Sequence, residues 1–132
     1  MVHTNEDLEA FLNRLERSFE RVSDGTYVVR MGSGQPLVAL RLAPPVLVVR
    51  TEIGRVPSDP TAASALYRRL LELNANALVH SAFGLEGDRV VLAAALVLES
   101  VDLNEIEAVL SDLDLALAEH VPNLHHIVQS KV

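Results

Sequence analysis

The chain of 132 residues contains no cysteine and no tryptophan, with only two tyrosines and three phenylalanines. Without thiols it can form no disulfide, offer no thiolate nucleophile and supply no sulfur ligand to a metal. A reducing compartment fits that composition but is not required by it. Basic residues are scarce as well: 11 against 18 acids, for a net charge of −7. A phosphate backbone is gripped by clustered Lys and Arg, so nucleic acid is not an expected partner. The opening MVHTNEDLEAFL has neither a basic n-region nor a long apolar run, so no signal peptide is expected. The apolar run VVLAAALVL after Arg89 is nine residues long, well short of the roughly 20 that a membrane-spanning helix needs. The expectation is a cytoplasmic protein without a membrane partner.

Patterns that carry chemistry are missing too. MGSGQP leads into a strand rather than a helix, so its glycines read as hairpin geometry and not as a phosphate loop. Ser81 and Ser100 have no evident base. His120, His125 and His126 lie close together, and imidazoles can hold zinc or nickel. Pro122 interrupts their spacing, however, so they do not share a regular helix face, and solvation at a helix end is the expected fate. No catalytic residue, metal or cofactor is expected, and the chain is read as a non-enzyme.

What is present is a single domain, residues 1–132, long enough to bury a core without staples. Thr4 caps a first helix whose apolar residues Leu8, Phe11, Leu12, Leu15, Phe19 and Val22 recur at helical spacing, which predicts a helix over about 5–22. Three short β-like runs follow, TYVVRM (26–31), LVALRL (37–42) and VLVVRTEI (46–53), separated by Gly and Pro turns as in an antiparallel meander. Ser58 or Asp59 caps a second helix with Pro60 in its first turn. Its apolar residues form two rows, Ala62, Leu66, Leu70, Leu73 and Ala77 on one and Ala63, Tyr67, Leu71 and Leu78 on the other. VHSAFGLE and RVVLAAALVL flank a Gly-Asp turn and predict a hairpin. Asp102 caps a third helix, which Pro122 ends, and the tail 123–132 is weakly patterned. The order α-β-β-β-α-β-β-α predicts an α+β fold, with a five-stranded antiparallel sheet and helices packed on it. Helices one and three are expected on the same sheet face.

Seven acids between Glu99 and Glu119, with no Lys or Arg among them, equal the whole net charge. A strongly acidic helix face is expected there, and solvation explains it as well as a partner does.

The strands are apolar on both sides. Side chains alternate between faces with period 2. One set, including Tyr27, Val29, Val38, Leu40, Leu47, Val49, Val79, Phe83, Leu85, Val90 and Leu92, reads as core. The other is smaller and mixed: Val28 and Arg30; Leu37, Ala39 and Arg41; Val46, Val48, Arg50 and Glu52; His80 and Ala82; Val91, Ala93, Ala95 and Val97. Monomers rarely leave such a contiguous apolar area in water. The second helix, a second subunit or a segment of another protein are the three candidates to cover it. The arginines either solvate the face or select an acidic partner by paired hydrogen bonds.

The stretch LYRRLLELNANALVHSAFGLEGDRVVLAAALVLESVDLNEIEAVLSDL (66–113) resembles the central and C-terminal part of the type III secretion chaperone family, which includes the Tir-chaperone type and the YbjN-like proteins. The features are a helix ending in LLELNA, then FGLEGDRVVLAAAL, then an acidic last helix. The resemblance implies a small acidic bacterial homodimer without enzymatic activity. It places the dimer contact on the middle helix, at Leu66, Tyr67, Leu70, Leu71 and Leu73. It also implies a secreted effector or other protein client held in extended form through apolar patches and strand addition. Strand parity nominates Val28, Leu37, Ala39, Val46 and Val48 for that contact, with Arg30 and Arg50 at its margin. The YbjN-like branch implies instead a stand-alone regulatory or structural domain acting through protein contacts.

Overall fold

A computed structural model describes residues 2–32 and 34–129. Helix α1 (Asn5–Arg14) leads into strands β1 (Phe19–Ser23), β2 (Thr26–Val29), β3 (Val38–Ala43) and β4 (Val46–Arg55). Helix α2 (Pro60–Asn76), strands β5 (Ala82–Glu86) and β6 (Arg89–Val97), and helix α3 (Leu103–Leu115) follow. One π-helical turn (Ala116–His120) then joins α3 to α4 (Val121–Gln129). The strands form one antiparallel sheet in the order β1-β2-β3-β4-β6-β5. The α+β class stands, but the sheet has six strands rather than five.

The extra strand comes out of the predicted first helix. The Thr4 cap is present, with Thr4 Oγ1 accepting from the Asp7 amide and Asp7 accepting from the Thr4 amide. The helix nevertheless ends at Arg14 instead of continuing to about 22. Glu16 takes a left-handed conformation, φ 57°. The Arg17 amide donates to the Leu12 carbonyl and the Glu16 amide to Asn13. That pair of bonds is the Schellman stop, usually built on glycine. Past it, Phe19 pairs with Val29 in the sheet and meets Tyr27 edge-on, with ring centroids 6.0 Å apart. The apolar stripe that suggested one helix is therefore two elements: Phe19 reaches the same core as the helix, whereas Val22 is 53% exposed.

The end of the chain departs from expectation in the opposite sense. Pro122 does not end the third helix. The Val121 amide reaches back five residues to the Ala116 carbonyl, and this widened turn lets the helix pass a proline that has no N–H to donate. The part of the weakly patterned tail within 123–129 is helical, and residues 130–132 lie outside the described residues.

All the helices bury their apolar rows on one side of the sheet. Leu8 and Leu12 of α1, Leu66, Leu70 and Leu73 of α2, Ile106, Val109, Leu110 and Leu113 of α3, and Leu124 of α4 share one cluster with Tyr27, Leu40, Leu47, Val90 and Leu92. Helix α2, one candidate to blanket the second face, packs instead on β5 and α4. Two positions expected in the core lie outside it: Val79 precedes β5 and is 78% exposed, and Leu85 on the edge strand is 50% exposed. Thr51 is a polar residue in the core, and its buried hydroxyl is paired, donating to the Leu37 carbonyl at 2.9 Å.

Candidate functional site

The uncovered sheet face carries the residues that strand parity assigned to it. The pairing lines up Glu20, Val28, Ala39, Arg50, Ala93 and Ala82 in one row across all six strands. A parallel row holds Thr26, Arg41, Val48 and Ala95, and a third Ala43, Val46 and Val97. Val28, Ala39, Val46, Val48 and Arg50 are half-buried among their neighbours, whereas Arg30, Arg41 and Leu37 are exposed. Val97 is 54% exposed. His80, expected on this face, precedes β5 and donates its backbone N–H to Asp112 on α3.

Charge is distributed unevenly over the face. Arg50 meets Glu86 at 2.7 Å, and its hydrogen bond holds the Glu86 carboxyl below the usual carboxylate range. Arg89 meets Glu52 at 3.7 Å and Arg55 meets Asp88 at 2.8 Å. The end formed by β4, β5 and β6 is thus self-neutralised. Arg30 on the β2 side and Arg41 on β3 have no carboxylate partner among the described residues.

The five α2 residues named for a dimer contact divide between two faces of the helix. Leu66, Leu70 and Leu73 are at most 5% exposed and fill this chain's own core. Tyr67 and Leu71 point outward, and Leu71 is 68% exposed. Together with Leu70, Asn74, Phe83, Gly84 and Leu85 they line a shallow groove of about 150 Å³ between α2 and β5. Periodicity found both rows of the helix but could not tell which was inward.

The two sheet edges differ. On β5, Asn74 Oδ1 accepts from the Phe83 amide and Asn74 Nδ2 donates to the Phe83 carbonyl, so a side chain stands where a neighbouring strand would. Sequence reasoning missed this residue, because an Asn in a helix carries no signal of a partner nine positions away. Strand β1, at the other end of the sheet, has a neighbour on one side only, and four of its five residues are exposed.

The acidic stretch is less free than its composition suggests. Asp102 and Glu105 make a reciprocal cap on α3. Asp112 accepts from the His80 amide and the Ser81 hydroxyl, and Asp114 pairs with Arg17 at 2.9 Å. These contacts fasten α3 to the loop before β5 and to the segment after α1. His125 borders a cavity of about 200 Å³ at the end of the sheet with Ile53, Gly54, Arg55, Leu66, Val90 and Leu124. No group of three or more metal-ligating side chains converges among the described residues. No helix among them is long and apolar enough to cross a membrane.

Solved structures with this fold include chains that differ widely in sequence. A chain of the ExoU–SpcU heterodimeric complex from the type III secretion system of Pseudomonas aeruginosa matches with a TM-score of 0.69 at 18% identity, over 87% of this chain and 95% of that one. YbjN of E. coli matches with a TM-score of 0.68 at 17% identity, over 96% and 95%. The Yersinia pestis type III secretion chaperone SycH, solved with a fragment of YscM2, matches at 0.58 and 19%, over 83% and 95%. No curated protein matches in sequence. The model of the CesT_Tir_1 family matches residues 1–130, and the chain belongs to that family of type III secretion chaperone-like proteins.

Proposed function

We propose that this chain is a homodimeric, non-enzymatic, cytoplasmic chaperone that holds a segment of a client protein in extended form. The observation that carries the reading is the one-sided sheet, with every helix packed against one face and Val28, Leu37, Ala39, Val46 and Val48 left on the other. Burying a Val or Leu fully is worth about 1.5–3 kcal/mol, so such a face gains by being covered. An extended client segment would add to the β1 edge through main-chain hydrogen bonds. Its side chains would continue onto Val28 and Leu37, with Arg30 and Arg50 at the margin. The matched chain of the ExoU–SpcU complex and SycH, whose fold this chain shares, were each solved with a protein partner.

The dimer contact belongs to the outward row of α2. Tyr67 and Leu71, with Leu85 beside them, form the exposed apolar ground there. Leu66, Leu70 and Leu73 support that row from beneath.

The test is capture of proteins from the source cell by the purified chain and by a Val48→Asp variant. A client recovered by the wild type, and lost with the variant while the fold persists by circular dichroism, supports the reading. Equal recovery by both overturns the sheet as the binding surface.

A second reading keeps these surfaces but assigns them to a YbjN-like regulatory domain acting through protein contacts. What favours it is that YbjN overlays 96% of this chain, against 87%, 83% and 92% for the ExoU–SpcU, SycH and HopA1–SchA complexes.

A further inference from the structure

The uncovered sheet face and the β1 edge ask for different things from a partner. An edge offers backbone N–H and C=O groups, which an extended segment can use. A face offers side chains only. An extended segment laid flat on it would lose water from its own backbone groups and find no partners for them, which is costly. A helix satisfies its backbone internally, which is why sheet faces in layered folds are covered by helices or by another sheet. The centre of this face is low, with Ala39 and Ala93 flanking Arg50 in one row and Ala95 beside Val48 in the next. Leu37 and Val97 stand at its borders, each at least half exposed.

On the β2–β3 side of this face, unpaired arginines outnumber the one exposed carboxylate, Glu20 beside Val28, and so favour an acidic partner. Arg50 and Arg89 are occupied by Glu86 and Glu52. Arg30 and Arg41 are exposed and lack a carboxylate partner among the described residues. Arg41 lies opposite Thr26, four positions along β2 from Arg30, which is about 13 Å at strand rise. Between the two arginines lie Val28, Leu37 and Ala39. A second copy docked through the same face would set these arginines against an arginine-bearing surface, since a two-fold contact is made by the same patch on both subunits.

From this we propose that the open sheet face binds an acidic amphipathic helix. Its apolar stripe packs on Val28, Leu37, Ala39, Val48, Ala95 and Val97, and its carboxylates meet Arg30 and Arg41. At the 1.5 Å rise of a helix, 13 Å is about two turns, so the acids bracket the stripe two turns apart. The inference rests on the partner-binding reading of the sheet and adds a second mode to it, a helix on the face beside a strand on the edge.

The experiment uses the full chain and two fluorescent synthetic helices of about 18 residues that share one Leu/Ala stripe. One carries Glu on both sides of the stripe at two-turn spacing, the other Lys. In anisotropy titrations at low salt the Glu helix binds about fivefold or more tighter than the Lys helix, the scale of two exposed ion pairs. The double variant Arg30→Glu/Arg41→Glu reverses the preference, Arg30→Gln/Arg41→Gln abolishes it, and Val97→Glu weakens both helices. Equal affinity of the two helices for the wild type, or a preference that the double variant leaves unchanged, overturns the proposal. So does failure of either helix to bind while Val97→Glu lowers the solution mass, which would assign the face to a second copy. If Val48→Asp abolishes client capture but the two helices bind alike, the function stands and this inference falls. If Val48→Asp leaves capture intact, the sheet face is not the binding surface, and this inference falls with it.

Discussion

Asn74 of α2 holds Phe83 of β5 by both of its backbone polar groups, accepting from the amide at 2.7 Å and donating to the carbonyl at 3.0 Å. Strand edges are templates for unwanted pairing, and natural sheets blunt them. Here a single amide occupies the middle of one edge at Phe83, while β1 at the opposite edge has a neighbouring strand on one side only among the described residues. Asn74→Ala should leave the Phe83 groups unpaired beside the core and cost about 1–3 kcal/mol. Asn74→Asp should cost at least as much, because a carboxylate accepts from the amide but repels the carbonyl. Thermal melts of both variants check this, together with light scattering for aggregation through the opened edge.

Glu16 supplies a test in the opposite direction. Its φ of 57° lies where a Cβ is disfavoured. Its amide and that of Arg17 close the helix on Asn13 and Leu12, a geometry that only the backbone requires. Glu16→Gly should stabilise the domain by about 0.5–1 kcal/mol, seen as a higher urea midpoint with an unchanged slope.

Strand parity was the strongest signal in the sequence. It placed Tyr27, Val29, Leu40, Leu47 and Leu92 in the core and Val28, Ala39 and Val48 opposite, because each strand fixes its own alternation. Two boundaries were not legible. Phe19 and Val22 sit at helical spacing from Leu15, yet the chain turns at Glu16, a residue type that gives no warning of a left-handed conformation. Pro122 reads as a stop, but one π-helical turn accommodates it. The Asn74 clamp and the Arg17–Asp114 pair join residues far apart in sequence, and nothing local announces either.

Tyr27 ties α1 to the sheet, its hydroxyl donating to Glu9 at 2.6 Å. Burial first, and then that bond to a carboxylate, push its pKa up to about 12. The folded value is raised above the unfolded one near 10, so the folded state holds this proton more tightly. The resulting stability is fully present below about pH 10 and is lost as pH climbs through about 12. Tyr27→Phe should lower stability at neutral pH by about 1 kcal/mol, the usual worth of one hydrogen bond. It should also flatten the decline of stability above pH 10. Urea titrations of both proteins between pH 8 and 12 measure the two slopes.

A one-residue step along α2 separates its two faces. Leu70 is 5% exposed and Leu71 is 68% exposed. A carboxylate at position 70 would have to enter the core beside Phe83 and Leu66, where an unpaired charge costs several kcal/mol. Leu70→Glu should therefore unfold the domain or sharply lower its melting temperature, whatever the oligomeric state. Leu71→Glu places the charge on the outer row beside Tyr67 and Leu85. It should leave the melting curve of the subunit fold within about 0.5 kcal/mol of the wild type, as surface changes do. If the outer row is the dimer contact, the solution mass falls from twice 14.4 kDa to 14.4 kDa. Multi-angle light scattering at matched concentrations decides it: a dimer that survives Leu71→Glu removes α2 from the interface, and a wild type already at 14.4 kDa removes the dimer.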